Sequence, residues 1–234
     1  RMRVAEVAVK NSPAGKAVIV HTGAHRTEDA LALTKHAGRI GAHAVSSLPP
    51  AGPYSFAEIK AYYETLAAAS DVPLLVYYFP SVAPVIQAAA QALELAAIPN
   101  VVGLKFTDFD LYKLWQLKQS GCVVFNGHDE VLIAGALMGA DGGIGSFYNL
   151  VPELFVEAFA ATRRGDWAHA QQVQTRINQL IQIVLRYPML AAIKTILRWQ
   201  GLAVGEALAP RRRLTAAEGE SLRQELRNAR FFDI

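Results

Sequence analysis

Six short apolar runs, each followed by a helical pattern, constrain this chain more than any other feature. The runs are Ala17–His21, Ala44–Leu48, Leu74–Phe79, Val101–Phe106, Val123–Asn126 and Gly143–Phe147. Most are almost continuously apolar, as expected of parallel strands covered on both faces. The segments between them carry helix signatures. Ser55 and Glu58 form a capping box ahead of Ile59, Tyr62 and Leu66. Ala30, Leu33, Ala37 and Ile40 recur at helical spacing, and Leu111, Leu114 and Trp115 form a second stripe. From Pro152 the strands stop, and the pattern predicts helices over Pro152–Arg163, Trp167–Arg186 and Met189–Trp199, with a last helix opened by Thr215 and Glu218. Strands alternating with helices imply βαβ units and a parallel sheet. A closed barrel of such units needs eight strands. Six are counted, so either the sheet is open and doubly wound or two strands of a barrel are absent. Met2 to Lys10 reads as the tail of a helix with no strand before it.

Composition narrows the class. A chain of 234 residues can bury a substantial core in one large domain. Its 52% hydrophobic and 18% charged residues fit a packed globular protein and exclude a disordered one. The formal charge of +3 comes from scattered basic residues, apart from Arg211-Arg212-Arg213, which reads as a solvated loop or helix approach. A nucleic-acid binder would show a denser basic face, so none is expected as a partner. With Cys122 the single cysteine, no internal disulfide is possible, and a reducing cytoplasm is the expected compartment. No apolar run reaches the ~20 residues a membrane span requires. The mixed charges of Arg1-Met2-Arg3-Val4-Ala5-Glu6 do not suit a signal peptide.

Enzymes of this architecture carry their chemistry at the carboxyl ends of the strands. Lys105 is the outlier there, because it ends an apolar strand, Val101-Val102-Gly103-Leu104-Lys105-Phe106, and lysine is seldom buried without a reason. An amine held out of water gives up its proton more readily, and the free amine is the form that attacks a carbonyl. The alternative is a strand-end lysine that reaches solvent past its own apolar stem. Lys194 also has apolar neighbours but lies on a helix, from which it can reach solvent, and is read as structural. Tyr77 closes the preceding strand, so its phenol could stand near the Lys105 amine and move a proton. Tyr78 points to the other face by strand alternation.

Asp129 and Glu130 follow a strand and open a helix, where acidic residues stabilise any first turn. Their functional reading is recognition of hydroxyls on a polar substrate. Gly142, Gly143 and Gly145 with Ser146 allow close backbone approach to a ligand, without the spacing of a dinucleotide fingerprint. His21, His25 and His43 lack a carboxylate cluster at ligand spacing and read as ordinary strand and loop residues, so no metal site is expected.

Three segments go beyond generic reading. Leu75-Val76-Tyr77-Tyr78-Phe79-Pro80 resembles the Tyr-x-x-Pro strand end of the dihydrodipicolinate synthase and N-acetylneuraminate lyase superfamily. Gly103-Leu104-Lys105-Phe106-Thr107 resembles its Schiff-base lysine motif, Gly-x-Lys-x-[Ser/Thr]. Asn126-Gly127-His128-Asp129-Glu130 and the run from Gly139 to Asn149 are similar to the sialic acid lyase branch in particular. The resemblance covers essentially the whole chain. It implies a TIM barrel followed by a small helical extension, assembled as a homotetramer. Residues 1–151 would supply strands three to eight of the barrel, and residues 152–234 its closing helix and the extension.

The chemistry implied uses no metal and no cofactor. Lys105 would form an imine with the keto carbon of an open-chain sugar acid, and retro-aldol cleavage would release N-acetylmannosamine and pyruvate. Tyr77 matches the family's proton-shuttling tyrosine. Thr107, Gly127, Asp129, Glu130, Gly145 and Ser146 match positions that bind the hydroxyl-bearing part of the substrate. Dihydrodipicolinate synthases resemble one another in an arginine soon after Tyr-x-x-Pro, whereas this chain continues Ser81-Val82-Ala83-Pro84. Sialic acid cleavage is therefore the better match, ahead of another sugar-acid aldolase or dehydratase, or a catalytically inactive relative.

The chain departs from the family pattern in three places. No Gly-[Ser/Thr]-Thr-Gly-Glu loop, which in the family holds the keto acid's carboxylate, occurs in it. It therefore reads either as a fragment of a longer enzyme or as a truncated protein with an altered site. Leu48-Pro49-Pro50-Ala51-Gly52-Pro53 stands where the family often has aromatic residues, and His128 where the bacterial lyases often have tyrosine.

Overall fold

The structure, a computed structural model, describes residues 1–232. The last two positions of the expected C-terminal extension lie outside the described residues. The chain divides into two compact units. The first comprises Arg1–His128 and Ala134–Ile144, and the second comprises Asp129–Ile133 and everything described from Gly145 onward.

The first unit is built on six parallel strands: β1 (Ile19–His21), β2 (Ala44–Ser47), β3 (Leu74–Tyr78), β4 (Val101–Phe106), β5 (Val123–Asn126) and β6 (Gly142–Gly143). They lie side by side in chain order within one sheet. Helices α1 (Met2–Asn11), α2 (Thr27–Arg39), α3 (Phe56–Ala68), α4 (Ala89–Ala96) and α5 (Leu111–Gln119) alternate with them, and the short α6 (Leu132–Leu137) precedes β6.

Alternation along each strand sorts the side chains into two sets. Val45, Val76, Tyr78, Leu104, Phe106 and Val124 share one core with Ala30 and Ala37 of α2, Ile59, Tyr63 and Leu66 of α3, Leu95 of α4, and Leu114 and Leu117 of α5. Each fully buried leucine of this set contributes about 2 kcal/mol of burial free energy. The other face carries His21, Ser46, Leu75, Tyr77, Gly103, Lys105 and Phe125. The apolar face is thus spent on stability, which leaves the polar face available for chemistry.

Local signals explain why the elements begin where they do. Ser55 accepts from the Glu58 N–H while Glu58 accepts from the Ser55 N–H, the reciprocal capping box expected for α3. Replacing Ser55 by alanine is expected to cost about 1 kcal/mol, read as a lower urea midpoint at unchanged slope. Behind that cap, the buried Tyr63 hydroxyl donates to the Ser47 carbonyl at 2.7 Å, and the Tyr62 and Ser47 hydroxyls share a hydrogen bond of the same length. Burial pushes the Tyr63 phenol well above its ordinary pKa. Asn100 takes a left-handed conformation, φ 69°, just before β4. Its side-chain amide donates to the carbonyls of Ala67, Ser70 and Val72, which fixes the turn that delivers β4.

The second unit is helical: α7 (Pro152–Arg163), α8 (Trp167–Val184), α9 (Met189–Trp199) and α10 (Ala216–Asn228). Phe155, Ile177, Leu180, Val184, Ile196 and Leu222 lie at the centre of its core. Thr215 and Glu218 cap α10 reciprocally, as the sequence predicts. Lys194 does not simply reach solvent: it is partly buried and donates to the Val204 carbonyl at 2.8 Å. Among the described residues, no single helix is long and apolar enough to cross a membrane.

β1 begins two residues later than the sequence expectation, at Ile19, and β2 and β3 each end one residue earlier, at Ser47 and Tyr78. Three further elements differ from it. β6 ends at Gly143, so Gly145, Ser146 and Phe147 are not in a strand; Phe147–Asn149 form a 3₁₀ turn instead. On α5 the buried stripe is Leu114 and Leu117, whereas Trp115 is exposed and stacks on Tyr112. α8 stops at Val184, two residues before Arg186.

Candidate active site

In the first unit the strand register sets Tyr77 of β3 directly beside Lys105 of β4. The Lys105 Nζ donates to the Tyr77 hydroxyl at 2.9 Å and lies 4.1 Å from the centre of the Tyr77 ring. Both residues are half-buried. A phenol in hydrogen-bond contact with an amine at a strand end can give or take a proton where that amine reacts. Tyr78, on the opposite face, stacks on Phe106 and donates to the Gln87 carbonyl. Burial pushes its phenol up to about 12, so it stays protonated as a structural group.

An aromatic row surrounds Tyr77. Phe79 stacks on it at 5.8 Å, and His21 meets it edge-on at 6.1 Å and 86°. Beyond Phe79, His128 presents its edge at 6.4 Å and stacks on Phe109 at 3.8 Å. His21, Phe79 and Phe109 are far apart in sequence and are not legible in it as a set. Position at a strand's carboxyl end, the criterion that singled out Lys105, was the available signal for His21.

Thr107 and Gly127 are brought together at the ends of β4 and β5. The Thr107 N–H donates to the Tyr78 carbonyl at 2.8 Å, and the Gly127 N–H to the Phe106 carbonyl at 2.7 Å. A Cβ on Gly127 would overlap the Thr107 side chain, so glycine makes the room that Thr107 occupies. The Thr107 hydroxyl is buried and has no hydrogen-bond partner among the described residues. Leaving such a group unsatisfied costs about 1–3 kcal/mol, which a substrate hydroxyl or carbonyl would recover.

A cavity of about 1270 Å³ opens between the loops that follow β1, β2 and β3. Its wall includes His21, His25, Arg26, Leu48, Pro50 and Val82. It reaches His21 but neither Lys105 nor Tyr77.

The remaining candidates belong to the second unit. Asp129 is buried, and its Oδ2 accepts from the Phe147 N–H at 2.8 Å. A Cβ on Gly145 would fall on the Asp129 carboxylate, so the turn can close only with glycine there. Ser146 is exposed beside it. Tyr148 stacks on Phe155 at 3.8 Å, and burial followed by the Asp129 charge raises its phenol well above the ordinary value. From α8, Gln174 donates to the Asp129 carbonyl and Asn178 to the Glu130 carbonyl, at 3.0 and 3.1 Å. These two amides, one helical turn apart, fix the segment that bears both acids. Only a weak pattern flags them: polar residues at i and i+4 beside the otherwise apolar buried face of the helix. Among the described residues, no three His, Cys, Asp or Glu side chains gather where they could hold a metal ion.

Comparison with known proteins defines the class. The Rhizobium meliloti (strain 1021) N-acetylneuraminate lyase is 34% identical over 211 residues, covering 88% of this chain and 70% of that protein. Among solved structures, CdNal from Clostridium difficile in complex with mannosamine superposes with a TM-score of 0.93 at 27% identity, covering 99% of this chain and 80% of that one. A catalytic lysine mutant of Ruminococcus gnavus sialic acid aldolase gives 0.91 at 26% identity, over 99% and 80%. The six strands are therefore part of a TIM (β/α)₈-type barrel, and the protein is a lyase. The Dihydrodipicolinate synthetase family model matches residues 1–229, and the chain belongs to that family.

Proposed function

We propose that the chain is a Schiff-base aldolase that cleaves N-acetylneuraminate to N-acetylmannosamine and pyruvate. The observation that carries this reading is the 2.9 Å contact between the Lys105 amine and the Tyr77 hydroxyl on adjacent strand ends. The names of its relatives, N-acetylneuraminate lyase and sialic acid aldolase, support the substrate.

The neutral Lys105 amine adds to the keto carbon, and loss of water leaves a cationic imine. The bond between the adjacent methylene and the hydroxyl-bearing carbon beyond it then breaks, and its electron pair moves into the imine to give an enamine. Tyr77, left as a phenolate once its proton has joined the departing hydroxyl as water, takes the proton of that hydroxyl as the aldehyde forms and can return it to the enamine carbon. Protonation of the enamine carbon and hydrolysis of the imine release pyruvate and restore the amine. Thr107, Gly127, Asp129, Glu130, Gly145 and Ser146 are proposed to bind the hydroxyl-bearing part of the sugar acid. The buried, unpartnered Thr107 hydroxyl supports its own assignment. A homotetramer in the cytoplasm is the proposed setting, supported by the family resemblance and the single cysteine.

Incubation with pyruvate, borohydride reduction and peptide mass spectrometry test the reading. A pyruvate-derived mass on the peptide bearing Lys105 is expected, and a well-folded sample with no adduct would overturn it. Release of pyruvate and N-acetylmannosamine from N-acetylneuraminate separates cleavage from dehydration, which yields neither. Tyr77→Phe keeps the ring and removes the proton carrier. It is expected to lower kcat by about 10²–10⁴-fold while the adduct still forms, as a stopped-time assay of both quantities would show.

A further inference from the structure

The polar face of the sheet holds two polar groups that the proposed chemistry does not use, His21 and Ser46, and of these His21 has its ring against Tyr77. His21 ends β1, two strands from Tyr77; it pairs in register with Ser46 of β2, which pairs in turn with Leu75, two residues before Tyr77 on β3. Its ring meets the Tyr77 ring edge-on, at 6.1 Å and 86°. Phe79 covers a face of the same phenol ring, and the Lys105 Nζ bonds its hydroxyl. Three neighbours thus bound Tyr77, and His21 is the only one of the three that also lines the large cavity.

We infer that His21 is a positioning residue, whose perpendicular ring contact holds the Tyr77 phenol against the Lys105 amine. Edge-to-face aromatic contacts are worth about 0.5–1.5 kcal/mol beyond area burial, enough to bias one ring orientation over its alternatives. The contact does not require a charged imidazole, and the surroundings disfavour one. Burial, then the charges of Arg1 and Lys105, lower the His21 pKa below its ordinary value, opposed by the Ser46 carbonyl. Arg1 reaches it from the start of the chain, donating to its backbone carbonyl at 2.8 Å. Arg3, His25, Arg26 and Asp29 share the cavity wall with it. A protonated His21 would place a second cation near Lys105 and oppose the cationic imine. Positioning and charge therefore act in the same direction: neutral His21 supports the site, and its protonation weakens it.

This inference rests on Lys105 as the imine-forming residue, and the test separates the two. Pyruvate trapping by borohydride is timed for the full chain, His21→Ala and His21→Phe between about pH 5 and pH 8. At neutral pH, His21→Ala is expected to trap about twofold to tenfold more slowly, the fold-change to which such a contact corresponds, and His21→Phe to recover most of that loss. On acidification the ratio of His21→Phe to the unmodified chain should rise, because only the latter acquires the extra cation. Wild-type rates in both variants at every pH would overturn the inference, and so would His21→Phe being as slow as His21→Ala. If the unmodified chain forms no adduct, the imine reading falls instead. The His21 contact is then judged by the aromatic NMR signals of Tyr77, assigned with Tyr77→Phe. Those signals should move in His21→Ala and hold in His21→Phe; unmoved signals in His21→Ala overturn the contact.

Discussion

Lys105→Ala is expected to lose turnover of N-acetylneuraminate by on the order of 10⁴-fold or more, the scale seen when a covalent nucleophile is removed. The fold should survive, because Lys105 is half-buried and its one polar side-chain contact recorded in the structure is to Tyr77. Losing that hydrogen bond costs about 1 kcal/mol, a small share of a domain's stability. Lys105→Arg sharpens the test. Arginine keeps the positive charge and can still donate to the Tyr77 hydroxyl, yet its guanidinium is always protonated and forms no imine. Both variants should therefore fold, release no measurable pyruvate and take up no adduct under borohydride. A Lys105→Arg protein with more than about a tenth of the original turnover would mean that Lys105 acts by charge alone, and covalent catalysis through it would have to be abandoned.

Gly103→Ala is expected to be the most damaging single-methyl change in the sheet, lowering stability by about 3 kcal/mol or more. Gly103 of β4 pairs in register with Val123 of β5. An added Cβ would meet Val123 backbone, 2.6 Å from its carbonyl carbon and 2.9 Å from its Cα, and closer still to its carbonyl oxygen. A flexible side chain could swing away, but a paired backbone cannot move without loosening the ladder on both sides. Lys105 lies two residues further along the same face, so the distortion should also slow adduct formation in whatever protein folds. Urea unfolding of the variant reads the first effect and timed trapping the second. A midpoint within about 0.5 kcal/mol of the unmodified chain would show that the strands can absorb the methyl group.

Much of this architecture is legible in the sequence because the physics that sets it is local. β4 and β5 run over the residues their apolar character marks, and α7 and α9 have the predicted ends. Both capping boxes form, since each needs only residues three apart. The proximity of Tyr77 and Lys105 is also readable, because consecutive parallel strands place their carboxyl ends side by side. The failures share a different origin. Gly143 to Phe147 reads as a strand, but the chain leaves the ladder because the Asp129 carboxylate takes the Phe147 N–H, across 18 residues of sequence. Trp115 fits a helical stripe, yet it stacks on Tyr112 at the surface while Leu117 fills the core. His21 reads as an ordinary strand histidine until β3 brings Tyr77 against its ring. The Gln174 and Asn178 amides likewise acquire meaning only from carbonyls 45 and 48 residues earlier.

Strand order that follows chain order has a consequence for how such a sheet can be made. Each pairing among these six strands joins a strand to the one synthesised just before it, so β2 to β6 each meet a partner that has already left the ribosome. Assembly can proceed vectorially, each βα unit docking on a template already in place, with short loop closures at each step. Under that order Tyr77 is already seated when β4 arrives, and Lys105 meets its phenol as soon as its own strand is laid down.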